Sequence, residues 1–182
     1  MTKTSAIESH VPKAVTDYMV TAESFSLVWN QEYKAYQTTP RPKELAPYYN
    51  HPDYISHNEK STGLMAQAYR FVRNWNRRVK LRWLNKANPP GKKLLDYGSG
   101  TGDFLKAANN ASWDGEGIEV NELARSAVSN KGLKIFKAPA EMGRQRYDVI
   151  TLWHVLEHLD DPGEMAKWLS QHLSERGVLI VA

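Results

Sequence analysis

Apolar residues fall into two rhythms along this chain. From 63 to 85 they recur at Leu64, Ala68, Val72, Trp75, Val79 and Trp83, the spacing of one face of a long amphipathic helix. The prolines and glycine of Asn88-Pro89-Pro90-Gly91 stop that rhythm. Short apolar runs then alternate with helical faces. Leu94–Tyr97 reads as a strand, Gly98–Gly102 as a glycine-rich turn, and Phe104, Leu105, Ala107 and Ala108 as one face of a helix. Gly117–Val120 reads as a second strand, and Asn121 as the N-cap of a helix that runs to about Asn130 and closes at Gly132. Leu133–Lys137 and Tyr147–Trp153 are the third and fourth strands. Asp161 before Pro162 starts a helix bearing Met165, Trp168, Leu169 and Leu173, which stops at Gly177 ahead of a last strand, Val178–Val181. This alternation predicts an α/β fold, a doubly wound parallel sheet with helices on both faces.

The front of the chain follows neither rhythm for long. Phe25, Leu27 and Trp29 alternate as in a half-buried strand. Between 33 and 60 lie Tyr33, Tyr36, Tyr48, Tyr49 and Tyr54 with Pro40, Pro42, Pro47 and Pro52, which reads as an irregular loop segment with short helical turns. The expected division is an aromatic and proline-rich segment over 1–62, a helix and linker over 63–90, and the α/β core over 91–182.

Composition narrows the chemistry. The 182 residues are 41% hydrophobic and 24% charged, a globular balance. No apolar run reaches the length of a membrane span, and the first residues lack the apolar stretch of a secretory leader, so a cytoplasmic protein is expected. There is no cysteine, which excludes disulfides, thiolate nucleophiles and thiolate metal sites. The net charge of +4 is unevenly spread: residues 1–90 carry 13 Lys/Arg against 7 Asp/Glu, and residues 91–182 carry 11 against 13. Arg70, Arg73, Arg77 and Lys80 form a basic stripe on the long helix, able to track phosphates but expected as the solvated back of that helix.

Asp96-Tyr97-Gly98-Ser99-Gly100-Thr101-Gly102 stands directly after a strand and directly before a helix. Glycines there permit a tight turn and close approach of a ligand. The spacing G-x-G-x-G differs from the G-x-G-x-x-G of dinucleotide binding, and Asp96 would repel a pyrophosphate while suiting a cationic amine. Glu119, at the end of the second strand, suits the two hydroxyls of a ribose. His154, Glu157 and His158 follow the fourth strand at i, i+3 and i+4 and share a face if the chain turns helical there. Three roles stay open for them: packing and bracing, a general base, or part of a metal site. No further ligand stands at fixed spacing to complete the last, so no metal is expected.

Leu94-Leu95-Asp96-Tyr97-Gly98-Ser99-Gly100-Thr101-Gly102 resembles the first motif of the class I S-adenosylmethionine-dependent methyltransferases, whose core is Rossmann-like. Gly117–Ala124 resembles their second motif, Tyr147–Pro162 the segment around their fourth strand, and Gly177–Ala182 their fifth strand. The likeness covers residues 93–182 and is nearest to enzymes acting on small molecules. It implies S-adenosyl-L-methionine as cofactor and a small-molecule methyl acceptor. It also implies a binding set of Asp96, Gly98, Ser99, Gly100, Gly102, Glu119, Val120, Glu141, Trp153 and His154. In that set Gly98, Ser99 and Gly100 underlie the methionine portion, Asp96 lies near its amino group, Glu119 meets the ribose, and Trp153 and His154 flank the sulfonium end. Glu141 is a candidate for the adenine amine or a surface charge. Tyr48, Tyr49, Tyr54 and Trp153 are candidate aromatic faces for the sulfonium. His154 and His158 are the candidate catalytic bases.

Relatives with a similar front segment often carry a cysteine-rich metal ribbon followed by a stretch like Thr38-Thr39-Pro40-Arg41-Pro42. Here Asn30-Gln31-Glu32-Tyr33 stands where its paired cysteines would be, so the segment is held by its own aromatics or is loosely ordered. The family core has seven strands, and this sequence stops on the fifth. A chain truncated there is expected, its apolar edge exposed or covered by a second copy. A non-catalytic cofactor-binding or interaction module is the alternative function. A nicotinamide-dependent oxidoreductase is disfavoured by the glycine spacing, and nucleic acid is not expected as a partner.

Overall fold

The computed structural model describes residues 13–18, 21–42, 64–128 and 132–182. They belong to two compact units, Met1–Ser61 and Thr62–Ala182. The first unit contains β1 (Lys13–Thr16), β2 (Ser24–Asn30) and β3 (Ala35–Thr39), an antiparallel sheet in that order. β2 bears out the alternation at Phe25, Leu27 and Trp29. β3 corrects the irregular segment expected from Tyr33 onward. Asn30 accepts hydrogen bonds from the Glu32 and Tyr33 amides at 2.9 and 3.1 Å, which folds the chain back. Tyr36 then meets Trp29 edge-on across the strands, with ring centroids 5.2 Å apart. At Asn30–Tyr33 an asparagine side chain holds the turn. Tyr48, Tyr49 and Tyr54 lie outside the described residues.

The second unit begins with α1 (Leu64–Lys86), followed by β4 (Lys93–Tyr97), α2 (Asp103–Asn110), β5 (Asp114–Ile118) and α3 (Glu122–Val128). β6 (Lys134–Phe136), β7 (Tyr147–Leu152), α4 (Pro162–His172) and β8 (Leu173–Val181) complete it. All five strands are parallel, in the order β6-β5-β4-β7-β8, which bears out the Rossmann-like sheet. Neighbouring residues of one strand serve opposite faces. Leu94 and Val149 pack with Leu84, Phe104, Leu105 and Ala108, while Leu95 and Ile150 pack with Met142, Tyr147 and Leu169. The predicted caps are in place: the Asn121 side chain accepts from the Ala124 amide, and that of Asp161 from the Glu164 amide.

Three details differ from the sequence reading. The second strand ends at Ile118, so Glu119 and Val120 lie just past it, on the loop. The last helix stops at His172, and β8 starts at Leu173 instead of Val178. Leu173 pairs with Tyr147 and Val178 with Val149, so extra residues are absorbed between them. A side chain at Gly177 would come within 2.9 Å of the Tyr147 carbonyl, which keeps that bulge tight.

The third difference is the roll of α1. Val72, Trp75 and Trp83 are exposed, whereas Arg73, Arg77 and Lys80 are half-buried and Leu84 is fully buried. The basic stripe therefore does not form a solvated back. Arg73 lies 3.7 Å from Asp103 at the start of α2, and Lys80 stands over the Phe104 and Trp153 rings. An acid thus partners Arg73 and aromatic faces partner Lys80 on the core side.

Candidate functional site

The strand order reverses at β4: β5 and β6 lie on one side, β7 and β8 on the other. In open parallel sheets such a switch point leaves a crevice at the carboxyl ends of the central strands. Asp96, near the end of β4, and Thr151, near the end of β7, occupy paired positions there. The Thr151 hydroxyl donates to Asp96 Oδ1 at 2.7 Å inside the protein. Asp96 is only 2% exposed. Burial pushes its carboxyl up to about 7, against the Thr151 hydrogen bond and the Lys80 charge, which pull it down; Glu119 adds a push upward.

The glycine-rich turn crosses the tips of β4 and β5. The Gly98 and Ser99 amides both donate to the Ile118 carbonyl, and the Gly100 amide donates to Glu119 Oε2 at 2.7 Å. The Gly102 amide returns to Ser99. With these amides directed into the chain itself, the turn is a poor cradle for a pyrophosphate, which needs its N–H groups outward. Two of the glycines do different work. Gly98 has φ +75, and a side chain there would meet Val155 at 2.4 Å; Gly100 has φ +53 and open space where a side chain would be. Gly98 is fixed by packing, and Gly100 leaves room beside the backbone.

Glu119 is 8% exposed. Its second oxygen accepts from the Asn121 amide at 2.8 Å, and Arg125 Nη1 donates to the carbonyls of Glu119 and Val120 at 2.7 and 2.6 Å. Each carboxylate oxygen keeps a lone pair for a further donor. Val120, next along, exposes its apolar side chain to solvent, as does Leu123.

The other predicted residues divide. The Ser99 side chain turns toward Gly117, its hydroxyl buried with no partner among the described residues. Glu141 is exposed and accepts from the Lys137 amide at 2.8 Å, closing the 3-10 turn Pro139–Glu141. Trp153 is half-buried on the α1 side, 5.8 Å from the Trp83 ring and 5.6 Å from that of Phe104. His154 takes φ +55, its amide donating to the Ala182 carbonyl, and its side chain is 83% exposed. The chain turns 3-10 only at Leu156–His158, so the histidines do not share a helical face. Glu157 still stands between them, Oε1 at 3.7 Å from His154 and 4.0 Å from His158. No group of three or more His, Asp or Glu side chains among the described residues is placed to hold a metal ion.

Sequence reading did not connect Thr151, Val155 or Lys80, the last of which it placed on the basic stripe, with the crevice. Thr151 was detectable as the polar residue in an otherwise apolar strand end, whereas Lys80 and Val155 depend on how α1 and the loop after β7 pack.

A family model described as a methyltransferase domain matches residues 66–182, well over half of the chain. This chain belongs to that methyltransferase family. The resemblance drawn from the motif residues to the class I S-adenosylmethionine-dependent methyltransferases is thereby borne out in family and fold. Among curated proteins, the ubiquinone biosynthesis O-methyltransferase of Caulobacter sp. (strain K31) is 28% identical over 102 residues, 50% of this chain and 40% of that protein. The enzyme of the same name from Stutzerimonas stutzeri (strain A1501) is 27% identical over 115 residues, 51% of this chain and 50% of that protein. The chain thus spans half or less of the length of these relatives. Among solved structures, the glycopeptide N-methyltransferase MtfA superposes with a TM-score of 0.50 at 12% identity, over 58% of this chain and 52% of that one, a likeness of fold. No helix of this methyltransferase domain among the described residues is long and apolar enough to cross a membrane.

Proposed function

We propose that the domain binds S-adenosyl-L-methionine in the β4–β7 crevice and moves its methyl group to a small-molecule acceptor. The observation that carries this reading is the pair of buried acids at neighbouring strand tips, Asp96 and Glu119, beside a turn whose amides are already engaged. That pair suits a ligand with a cation at one end and a ribose at the other, and the engaged amides disfavour a pyrophosphate. The chemistry fits residue by residue. Asp96 accepts from the ligand's ammonium, and Glu119 accepts from the ribose hydroxyls while holding the Gly100 amide. The open space at Gly100 admits the ligand against the backbone, and Val120 and Leu123 offer apolar cover for a base ring. Glu141, tied to Lys137, takes a structural part.

The cofactor supplies an electrophilic methyl and an excellent leaving group, so positioning the acceptor in line accounts for most of the acceleration. Trp153 walls the crevice on the α1 side. His154 and His158, 3.7 and 4.0 Å from Glu157, are the candidates to collect a proton leaving an acceptor hydroxyl. Curated relatives named as O-methyltransferases support a hydroxyl as the acceptor group. The helix and linker at 63–90 act with the core at 91–182 as one binding domain.

Calorimetry with S-adenosylhomocysteine tests the reading. Saturable binding by the wild type, weakened roughly ten- to a hundredfold in Asp96→Ala and Glu119→Ala, is expected for loss of charge-assisted hydrogen bonds. Unchanged affinity in both variants would contradict it.

A further inference from the structure

α1 carries seven Lys/Arg and no Asp or Glu. On its inner side Arg73 meets Asp103, and Lys80 meets the Trp153 and Phe104 rings. On its outer side Phe71, Trp75, Arg78, Arg82 and Lys86 recur at i, i+4, i+7, i+11 and i+15, all exposed, in one row about 22 Å long. Phe71 is 66% exposed and Trp75 51%, so each leaves half or more of its surface in water. The Arg82 guanidinium lies 5.5 Å from the centre of the Trp75 ring, which sets cation and indole side by side. Beyond Arg82 the row meets a shallow groove lined by Trp83, Lys86, Ala87 and Ile180 of β8, three apolar side chains with one ammonium.

We propose that this outer face of α1 docks on an anionic lipid surface. Phe71, Trp75 and Trp83 enter the headgroup layer there, and Arg78, Arg82 and Lys86 meet its phosphates. The inference does not depend on the reading of the crevice. A row of cations with no acid on the same helix selects an anionic partner, and the rings among them require apolar matter at the same surface. A lipid leaflet supplies both in every molecule, phosphate above hydrocarbon, and it needs no matching register along the row. The groove repeats that pairing: its apolar floor suits an acyl chain and Lys86 the phosphate above it. Single-stranded nucleic acid fits less well, because Arg82 stands over the Trp75 ring on which a base would stack. α1 is too polar to cross a membrane, so the contact is one of surface only.

The test is sedimentation of the full chain at ~0.15 M salt with phosphatidylcholine vesicles that contain either no phosphatidylglycerol or about 30% of it. The wild type should pellet with the anionic vesicles and not with the neutral ones, and ~0.5 M salt should release it. A cation beside an anionic surface contributes about fivefold, so Arg78→Gln combined with Arg82→Gln should weaken partitioning roughly thirtyfold. Arg144→Gln combined with Lys167→Gln removes the same charge away from α1 and should change it by no more than about twofold. Trp75→Phe keeps an aromatic ring and should still bind, while quenching of tryptophan fluorescence by lipids brominated on their acyl chains should fall. Melting temperatures equal to the wild type check that the variants fold. Equal partitioning onto neutral vesicles, no partitioning onto either, or an equal loss in the Arg144 and Lys167 pair would overturn the inference. Quenching that Trp75→Phe leaves unchanged would place the row outside the headgroup layer and overturn it as well. Tighter binding of a single-stranded oligonucleotide than of anionic vesicles, lost with Arg78 and Arg82, would assign the face to nucleic acid and also overturn it.

Discussion

On the β4–β5 side of the crevice the acids are held from several directions. Thr151 donates to Asp96, the Gly100 and Asn121 amides donate to Glu119, and Arg125 grips the backbone of Glu119 and Val120. On the β7 side His154 and His158 are exposed side chains whose shared neighbour, Glu157, is 3.7 and 4.0 Å away. Backbone amides and buried hydroxyls fix a carboxylate at a cost fixed at folding, whereas solvent-facing rings keep several rotamers. Under the proposed function, the first rim would hold the ligand and the second would be completed only when an acceptor arrives.

The largest effect should come from Asp96→Asn. Its affinity for S-adenosylhomocysteine should fall by roughly ten- to a hundredfold, as for a lost charge-assisted hydrogen bond. The same change should raise the stability of the empty protein. The folded carboxyl titrates at about 7, well above its ordinary 3.8, so the folded state holds a proton that the unfolded chain has released. Stability at this site therefore falls as pH rises from about 4 to about 7 and stays low above that. The gain in Tm for Asp96→Asn, measured by calorimetric melting, should accordingly grow between about pH 5 and about pH 8. A constant gain would contradict the buried carboxyl.

Glu119→Gln should weaken binding by about tenfold, because its amide turns a donor toward one of the two backbone N–H groups. Calorimetry checks this, and an affinity equal to wild type would assign the ribose elsewhere. Gly98→Ala should cost ~1–2 kcal/mol for its left-handed backbone, plus the clash with Val155. Chemical denaturation should show Val155→Ala recovering the second part only. His154→Ala and His158→Ala should shift S-adenosylhomocysteine affinity by less than about twofold, the range of exposed side chains outside the binding rim. A tenfold loss in either would move that histidine onto the ligand.

The sheet, the glycine turn and both helix caps were legible because each depends on local chemistry. Asn121 and Asp161 cap whatever helix follows them, and Asp96 and Glu119 take their places from strands a few residues long. The roll of α1 was not legible. Val72, Trp75 and Trp83 fit the helical rhythm but are exposed, while Leu81 and Leu84 pack with Phe104 and Leu105 and Arg73 turns to Asp103. The face that the histidines would share on a helix after Trp153 does not form, because His154 adopts a left-handed backbone that no helix contains. β3 was hidden because the Asn30 turn that returns it depends on a side chain folding back on its own backbone.

A crystal structure with S-adenosylhomocysteine bound would test the whole scheme at once. The amino nitrogen should lie about 3 Å from Asp96 Oδ2, and both ribose hydroxyls should lie at the same distance from Glu119. A nucleoside bound in the opposite direction, or bound away from these two carboxylates, would contradict it.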